Sequence, residues 1–148
     1  MPKTTLFLAS SGAAKTQAKL VVSAFTSPTV EFLPWWEAFT PGKTLLEDLD
    51  EISNRVDGAL ILMTPEFEGT VRGSLKDIPN LNVLLELGYF IGKFGRQRVA
   101  MMKYGDFYLP SDLGGYIHIH GSTGFRRSGG QAIGKRNHDE FGKWISVF

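Results

Sequence analysis

Cysteine is absent from the 148-residue chain, which excludes disulfides, thiolate nucleophiles and Cys-type zinc sites together. Net charge is nearly absent too. With 16 Lys and Arg against 15 Asp and Glu, no long-range field draws nucleic acid or a membrane surface. No long apolar run exists: Leu6-Phe-Leu-Ala9 is only strand length, too short for a signal-peptide core or a membrane span. Internal repeats and low-complexity tracts are lacking. His118 and His120 alternate with no acid nearby in sequence, and His138 stands apart, so no metal site is expected and all three read as edge or surface residues. These absences point to one soluble cytoplasmic domain spanning residues 1–148. Its hydrophobic fraction of 43% suffices for a full core.

What is present is an alternation of strand and helix. Thr4-Thr-Leu-Phe-Leu-Ala9 reads as a strand buried on both faces, followed by Ser10-Ser11-Gly12 and a helical stretch from Ala13 to Phe25. Ligands of such units sit outside the carboxyl ends of the strands. The hydroxyls and amides of Ser10, Ser11 and Gly12 suit a phosphate or ribose at a helix N-terminus. A tight turn with a Ser cap fits the same residues. Lys15-Thr16 makes no P-loop, because the glycines are missing. A second strand, Thr29 to Leu33, leads into Trp35-Trp36-Glu37-Ala38-Phe39, where three aromatics suggest a covering loop that stacks on a base, meets a partner or plugs the sheet end. Thr44 and Glu47 predict a capping box for a helix to about Arg55.

Val56 to Met63 is the most clearly buried strand. Glu66 to Asn80 is polar and reads as a long irregular loop, of the kind that more often serves function. Val99 to Lys103 is a fourth strand and Tyr116 to His120 a short edge strand. Gly121 to Gly134, rich in Gly, Ser and Arg, reads as mobile. His138 to Phe148 begins a terminal helix that stops abruptly, as expected for the N-terminal part of something longer. The alternation predicts a flavodoxin-like α/β fold, an open parallel sheet of four or five strands with helices on both faces.

The chain is organised around Asn82 to Arg98. Most of it reads as one helix buried almost all round, with Glu86 in its middle. An ionised side chain there is costly without partners or a water-filled cleft. A carboxylate held by a neighbouring Arg or Lys is the bland reading. Asn82, Glu86 and Lys93 fall near one stripe. Gly88 and Gly92 fall on another, where missing side chains would let the helix approach a sheet closely. Gly95 supplies a stop.

Leu62-Met-Thr-Pro65, Arg72-Gly73, Asn82-Val83, Glu86-Leu-Gly-Tyr-Phe-Ile-Gly92, Gly95-Arg96 and Leu109-Pro-Ser-Asp-Leu113 together resemble the bacterial TIR-like family of predicted nucleotide-binding proteins. That family includes the effector half of bacterial TIR–STING antiphage proteins. The likeness runs from about Leu6 to Ile119. One departure is Glu66-Phe67-Glu68, where the family often has two aspartates after the strand.

The resemblance implies a TIR effector that cleaves NAD to nicotinamide and ADP-ribose or a cyclic form. Glu86 would be catalytic, with Ser10, Ser11, Gly12, Trp36, Phe39, Arg72, Asn82 and Asp112 around the substrate. NAD would be substrate, with no separate cofactor. The resemblance also implies self-assembly into oligomers or filaments through the aromatic loop, and a fused cyclic-dinucleotide sensor. Other readings differ in class. A TIR domain can serve purely as an assembly module, and a nucleoside deoxyribosyltransferase would share the sheet and the glutamate. A flavodoxin would need a phosphate loop richer in Thr and Gly, and a receiver domain would need acids where Ser10 and Ser11 stand.

Overall fold

The computed structural model describes residues 2–113, 116, 118–122, 125 and 130–148. Five strands form one parallel sheet in the order β2-β1-β3-β6-β7. They are β1 (Thr4–Ala9), β2 (Val30–Pro34), β3 (Gly58–Met63), β6 (Val99–Lys103) and β7 (Ile119–His120). β3 is central and buried along its whole length, as its unbroken apolar sequence requires of a strand covered on both faces. It begins at Gly58, where a Cβ would lie 2.4 Å from the Arg98 carbonyl oxygen and 2.8 Å from the Phe148 ring. No other residue fits that approach.

Helices α1 (Lys15–Phe25) and α5 (Lys135–Ile145) cover one face. Their buried Ala18, Val21, Phe25, Phe141 and Trp144 pack on Leu6, Leu8, Leu60 and Met102. The opposite face carries α3 (Leu45–Ser53) and α4 (Leu81–Phe94), whose Leu49, Ile52, Val83, Leu87 and Phe90 pack on Phe7, Ile61 and Met101. Alternate residues of each strand therefore serve opposite layers, as the period of two dictates. The capping box is present: Thr44 Oγ1 accepts from Glu47 N–H at 3.2 Å, and Glu47 Oε1 accepts from Thr44 N–H at 3.3 Å. The aromatic segment after β2 is a single helical turn, α2 (Trp35–Ala38), rather than a loop.

Four expectations need correction. Glu66 to Asn80 is not irregular but mostly a separate antiparallel hairpin, β4 (Pro65–Val71) and β5 (Ser74–Pro79). It turns at Arg72 (φ 51°) and Gly73 (φ 79°), the paired positive φ values that suit the twist of a two-residue hairpin loop. Helix α4 is not buried all round either: Leu81 is 61% and Leu85 48% exposed, because among the described residues no element covers its outer side. Gly88 and Gly92 lie on that open side, with nothing within 4 Å of an added Cβ, so they admit no sheet. Finally, the described residues of the Gly/Ser/Arg segment are held. Gln17 Nε2 donates to the Gln131 carbonyl at 3.0 Å, Gln17 Oε1 accepts from Gln131 N–H at 2.6 Å, and Phe125 packs on Tyr104. Gly114, Gly115, Ile117, 123–124 and 126–129 lie outside the described residues.

Among the described residues, no helix is long and apolar enough to cross a membrane, and no group of three or more His, Asp or Glu is placed to hold a metal ion.

Candidate active site

The chain leaves β1 for α1 on one face and leaves β3 for α4 on the other. This divergence opens a crevice at the carboxyl ends of β1 and β3, the switch point where open α/β sheets place ligands. Two short hydrogen-bond chains line it. The Trp35 indole N–H donates to Ser10 Oγ at 2.8 Å, and the Ser10 hydroxyl donates to the Ser11 carbonyl at 3.0 Å. The Ala14 N–H donates to Ser11 Oγ at 3.2 Å, and the Ser11 hydroxyl donates to Glu66 Oε2 at 3.3 Å. Thr64 Oγ1 reaches the same Glu66 oxygen at 3.4 Å. Ser10, Ser11 and Thr64 are all buried, so these polar groups require their partners. Gly12 follows in the same loop, open to solvent, with nothing within 4 Å of an added Cβ.

Trp35 and Trp36 meet edge to face at 5.7 Å and divide between the two layers, Trp35 on the α3–α4 side and Trp36 on the α1–α5 side. The Lys15 ammonium lies 5.7 Å and 5.4 Å from their ring centroids, within cation–π range. Phe39 sits beside Phe7, with ring centroids 6.0 Å apart.

Glu86 is the sixth residue of α4. Because α4 runs antiparallel to the strands it joins, its first turns stand at their carboxyl ends. Phe90, one turn on, lies over Phe7 of β1 at 5.1 Å, so Glu86 is one turn nearer the crevice mouth than that contact. Its side chain is buried, and Oε2 has no hydrogen-bond partner among the described residues. Burial alone pushes its carboxyl up to about 8, because the charged form loses its water and gains no counter-charge. Among the described residues, no Arg or Lys meets this oxygen as the bland reading would require. A buried polar atom left unsatisfied is rare enough to call for a functional account.

Other predicted site residues stand differently. Asn82 is exposed and gives Glu86 Oε2 no hydrogen bond; the cap of α4 is Asn80, whose Oδ1 accepts from Asn82 N–H at 2.9 Å and Val83 N–H at 3.2 Å. Arg72 is exposed at the hairpin tip, about 20 Å of strand from the hairpin's base. Asp112 lies exposed in a short 3₁₀ turn, Ser111–Leu113, beyond β6. Ser10, Ser11 and Gly12 thus share the loop after β1 with its bonds to Trp35 and Glu66, Trp36 packs in the α1–α5 layer, Phe39 packs in the α3–α4 layer with Glu86 on α4, and Arg72 and Asp112 stand apart.

None of four cavities of about 320 to 390 Å³ is lined by Glu86. One of about 390 Å³ lies against Phe39, Thr40, Lys43, Leu45 and Asp48. Two others, of about 360 and 320 Å³, share Gln97 and His118 near the amino ends of β6 and β7. There burial and the nearby Arg96 both lower the His118 pKa. His120 does have an acid, supplied from far along the chain, with its Nδ1 2.7 Å from Glu140 Oε2.

Residues 5–123 match the profile of the CAP12/Pycsar effector protein TIR domain. The chain belongs to this TIR family. It is 40% identical over 78 residues to the uncharacterized protein YuaY of Escherichia coli, covering 51% of this chain and 26% of that protein. Against the Pycsar effector PaPycTIR of Pseudomonas aeruginosa, identity is 36% over 92 residues, 60% of this chain and 30% of the relative. Against BcPycTIR of Burkholderia cepacia it is 31% over 120 residues, 79% and 40% respectively. The chain therefore spans less than half the length of these relatives. As a member of this TIR family, it has the expected parallel α/β sheet. From sequence, Lys15 weighs only as part of a P-loop and Glu66 only as a departure from the family's aspartates; the contacts of Lys15 with Trp35 and Trp36 and of Glu66 with Ser11 and Thr64 come from the fold.

Proposed function

We propose that the chain is an NAD glycohydrolase domain of an antiphage effector, active as an assembly. The observation that carries this is the Glu86 carboxyl, buried in the first half of α4 with Oε2 unpartnered among the described residues and its pKa raised to about 8. Such a group lacks a positive charge, and nicotinamide riboside supplies one. As the pyridinium approaches, the carboxylate becomes the favoured form and the proton leaves. The glycosidic C1′–N bond then breaks with its electron pair moving to the ring nitrogen, so nicotinamide departs neutral and needs no acid. The carboxylate stabilises the oxocarbenium charge left on the ribose. Water adds at C1′, releasing a proton and giving ADP-ribose. Ser10, Ser11 and Gly12 bind the nucleotide at the loop after β1, and Trp36 or Phe39 stacks on a base. Arg72, Asn82 and Asp112 reach substrate only where neighbouring copies or loop closure bring them in.

NAD consumption followed by chromatography at low and high protein concentration tests this reading. Nicotinamide release is expected to rise more than linearly with concentration and to fall at least about 10²-fold in Glu86→Gln. No release at crowded concentration would defeat it. The open side of α4, with Leu81 and Leu85 exposed, favours a second reading: a module that works by self-association alone. Self-association with no nicotinamide release would support that reading.

A further inference from the structure

The hairpin stands outside the main sheet and buries little of its own surface. In its two strands only Ile78 and Pro79 are buried, while Phe67 is 47% and Leu75 67% exposed. A two-stranded ribbon of this kind is marginal by itself and gains from a further strand. Its two edges differ. The loop at Arg72 and Gly73 has two residues, so Val71 and Ser74 face each other as a hydrogen-bonded pair, and the backbone groups of alternate residues point outwards. On β5 these outward groups include the Asp77 carbonyl, which accepts from Tyr108 N–H at 2.7 Å. On β4 they are the N–H and C=O of Glu68 and Thr70, and among the described residues nothing pairs with them. This open edge, Phe67 to Val71, carries neither Lys nor Pro, the residues that most often blunt an edge. A β-bulge ends it at the base: Pro65 pairs with Pro79 and Phe67 with Ile78, so Glu66 is the extra residue.

The edge is complementary to itself. Laid antiparallel across a two-fold axis at Gly69, Glu68 of each copy exchanges both backbone bonds with Thr70 of the other, so every outward group is answered. Other registers fit worse. Centred on Thr70, the edge opposes Glu68 to Arg72, whose backbone is committed to the turn (φ 51°); centred on Glu68, it sets two like charges face to face. On one face the Gly69 register puts Phe67 of each copy opposite Val71 of the other, an aromatic against a β-branched side chain. On the other face Glu68 meets Thr70, and no like charges oppose. The axis falls at a non-hydrogen-bonded pair, where Cα atoms approach to about 4.5 Å. Glycine inside a strand marks such an approach of another backbone. Within this chain the atoms nearest a Cβ at Gly69 belong to the side chains of Ile78 and Phe67, at 3.2 Å and 3.9 Å, and not to a backbone. The same register carries Arg72 of each copy from its own hairpin tip to the base of the other's, where Ser11 and Thr64 meet Glu66.

We propose that the outer edge of β4 is a self-docking surface, joining the hairpins of two copies of this chain into one continuous antiparallel ribbon. This rests on the assembly part of the proposed function, and it is read without turnover, so its failure and that of NAD cleavage are distinguishable. An isologous contact closes a pair, so any larger assembly uses a second surface as well. The contact is small and forms at high protein concentration. Because the chain has no cysteine, cross-linking reads the register. Phe67→Cys mixed with Val71→Cys is expected to give a disulfide-linked pair under a mild oxidant. Either variant alone should give none, since like positions lie about 13 Å apart along the strands. In sedimentation velocity the full chain should show a dimer that grows with concentration. Thr70→Pro removes an N–H that β5 does not use, so circular dichroism should be unchanged while dimerisation weakens about tenfold or more. Thr70→Lys, placed opposite Glu68 of the other copy, should tighten the dimer about threefold, and Thr70→Glu should loosen it by as much. A chain that stays monomeric at every concentration overturns the inference, as does a dimer that Thr70→Pro leaves unchanged or single variants that cross-link as well as the mixture. If Thr70→Pro disturbs the fold, the charge pair decides: equal dimerisation of Thr70→Lys and Thr70→Glu overturns it.

Discussion

The two ends of the sheet are opposites. Near the amino ends of β6 and β7 there is space, about 360 and 320 Å³ lined by Gln97, His118, Tyr116 and Trp144, and the polar groups around it are largely answered. Trp144 donates to the Gln97 carbonyl, and Tyr116 donates to the carbonyls of Arg96 and Val99. At the carboxyl end the cavities of about 390 and 320 Å³ lie against Phe39 and Phe107 and neither reaches Glu86, whose Oε2 is buried without a partner among the described residues. Space alone does not mark a site. An unmet electrostatic requirement at a topological switch point is the stronger sign, because folding gains nothing from it.

The largest expected effect breaks this comparison if it fails. Glu86→Gln should reduce nicotinamide release at least about 10²-fold, whereas His118→Ala and Lys143→Ala, at the amino end, should change it less than about twofold. Equal losses at both ends would mean that the amino-end cavities belong to the site.

Stability supplies the second test. Between its ordinary value of 4.5 and the folded value of about 8, the unfolded chain gives up the Glu86 proton while the folded chain keeps it. The folded state then binds more protons, so stability falls as pH rises through this window. The fall amounts to several kcal/mol, at about 1.4 kcal/mol per pH unit. Glu86→Gln should abolish that slope and be the more stable protein at pH 8. Urea midpoints measured from pH 4.5 to 8 decide it; parallel curves for the two proteins would show Glu86 to be solvated.

The third effect sets one tryptophan against another. Trp35→Phe removes the donor to Ser10 at the carboxyl end, and Trp144→Phe removes the donor to Gln97 at the amino end. Each should cost about 1 kcal/mol of stability. Only Trp35→Phe should also raise the KM for NAD, because it loosens the loop that carries Ser11. A matching rise in both would make the Ser10–Trp35 contact structural only.

Local signals explain what was legible. β1 (Thr4–Ala9) and β6 (Val99–Lys103) span the residues their sequences predict, and the capping box at Thr44 forms as its spacing predicts. The hairpin was hidden because Glu66 to Asn80 is largely polar and its turn uses Arg72 before Gly73, where Asn or Asp would have announced it. Glu66 acquires its aim from a bulge, and a bulge exists only in the register of two strands. Glu86 was legible as an acid among apolar residues, although its lack of a partner depends on every element around it. The open face of α4 was illegible for the converse reason: Leu81, Leu85 and their neighbours are apolar, and no local pattern tells which apolar face the rest of the fold leaves uncovered.

That open face gives the smallest effect and the most discriminating one. Gly in a helix interior is less favourable than Ala by roughly 1 kcal/mol, and a Cβ at Gly88 or Gly92 meets nothing within 4 Å. Within one molecule, Gly88→Ala should therefore raise the thermal midpoint by a few degrees, as should Gly92→Ala. If copies of the chain assemble through this face, the added methyl groups intrude where a neighbour's backbone would approach. The same substitutions would then weaken the concentration dependence of nicotinamide release while stabilising the monomer. Opposite signs in the two measurements would place the assembly surface on α4. Stabilisation with unaltered concentration dependence would direct the search to the aromatic turn at Trp35 to Phe39 instead.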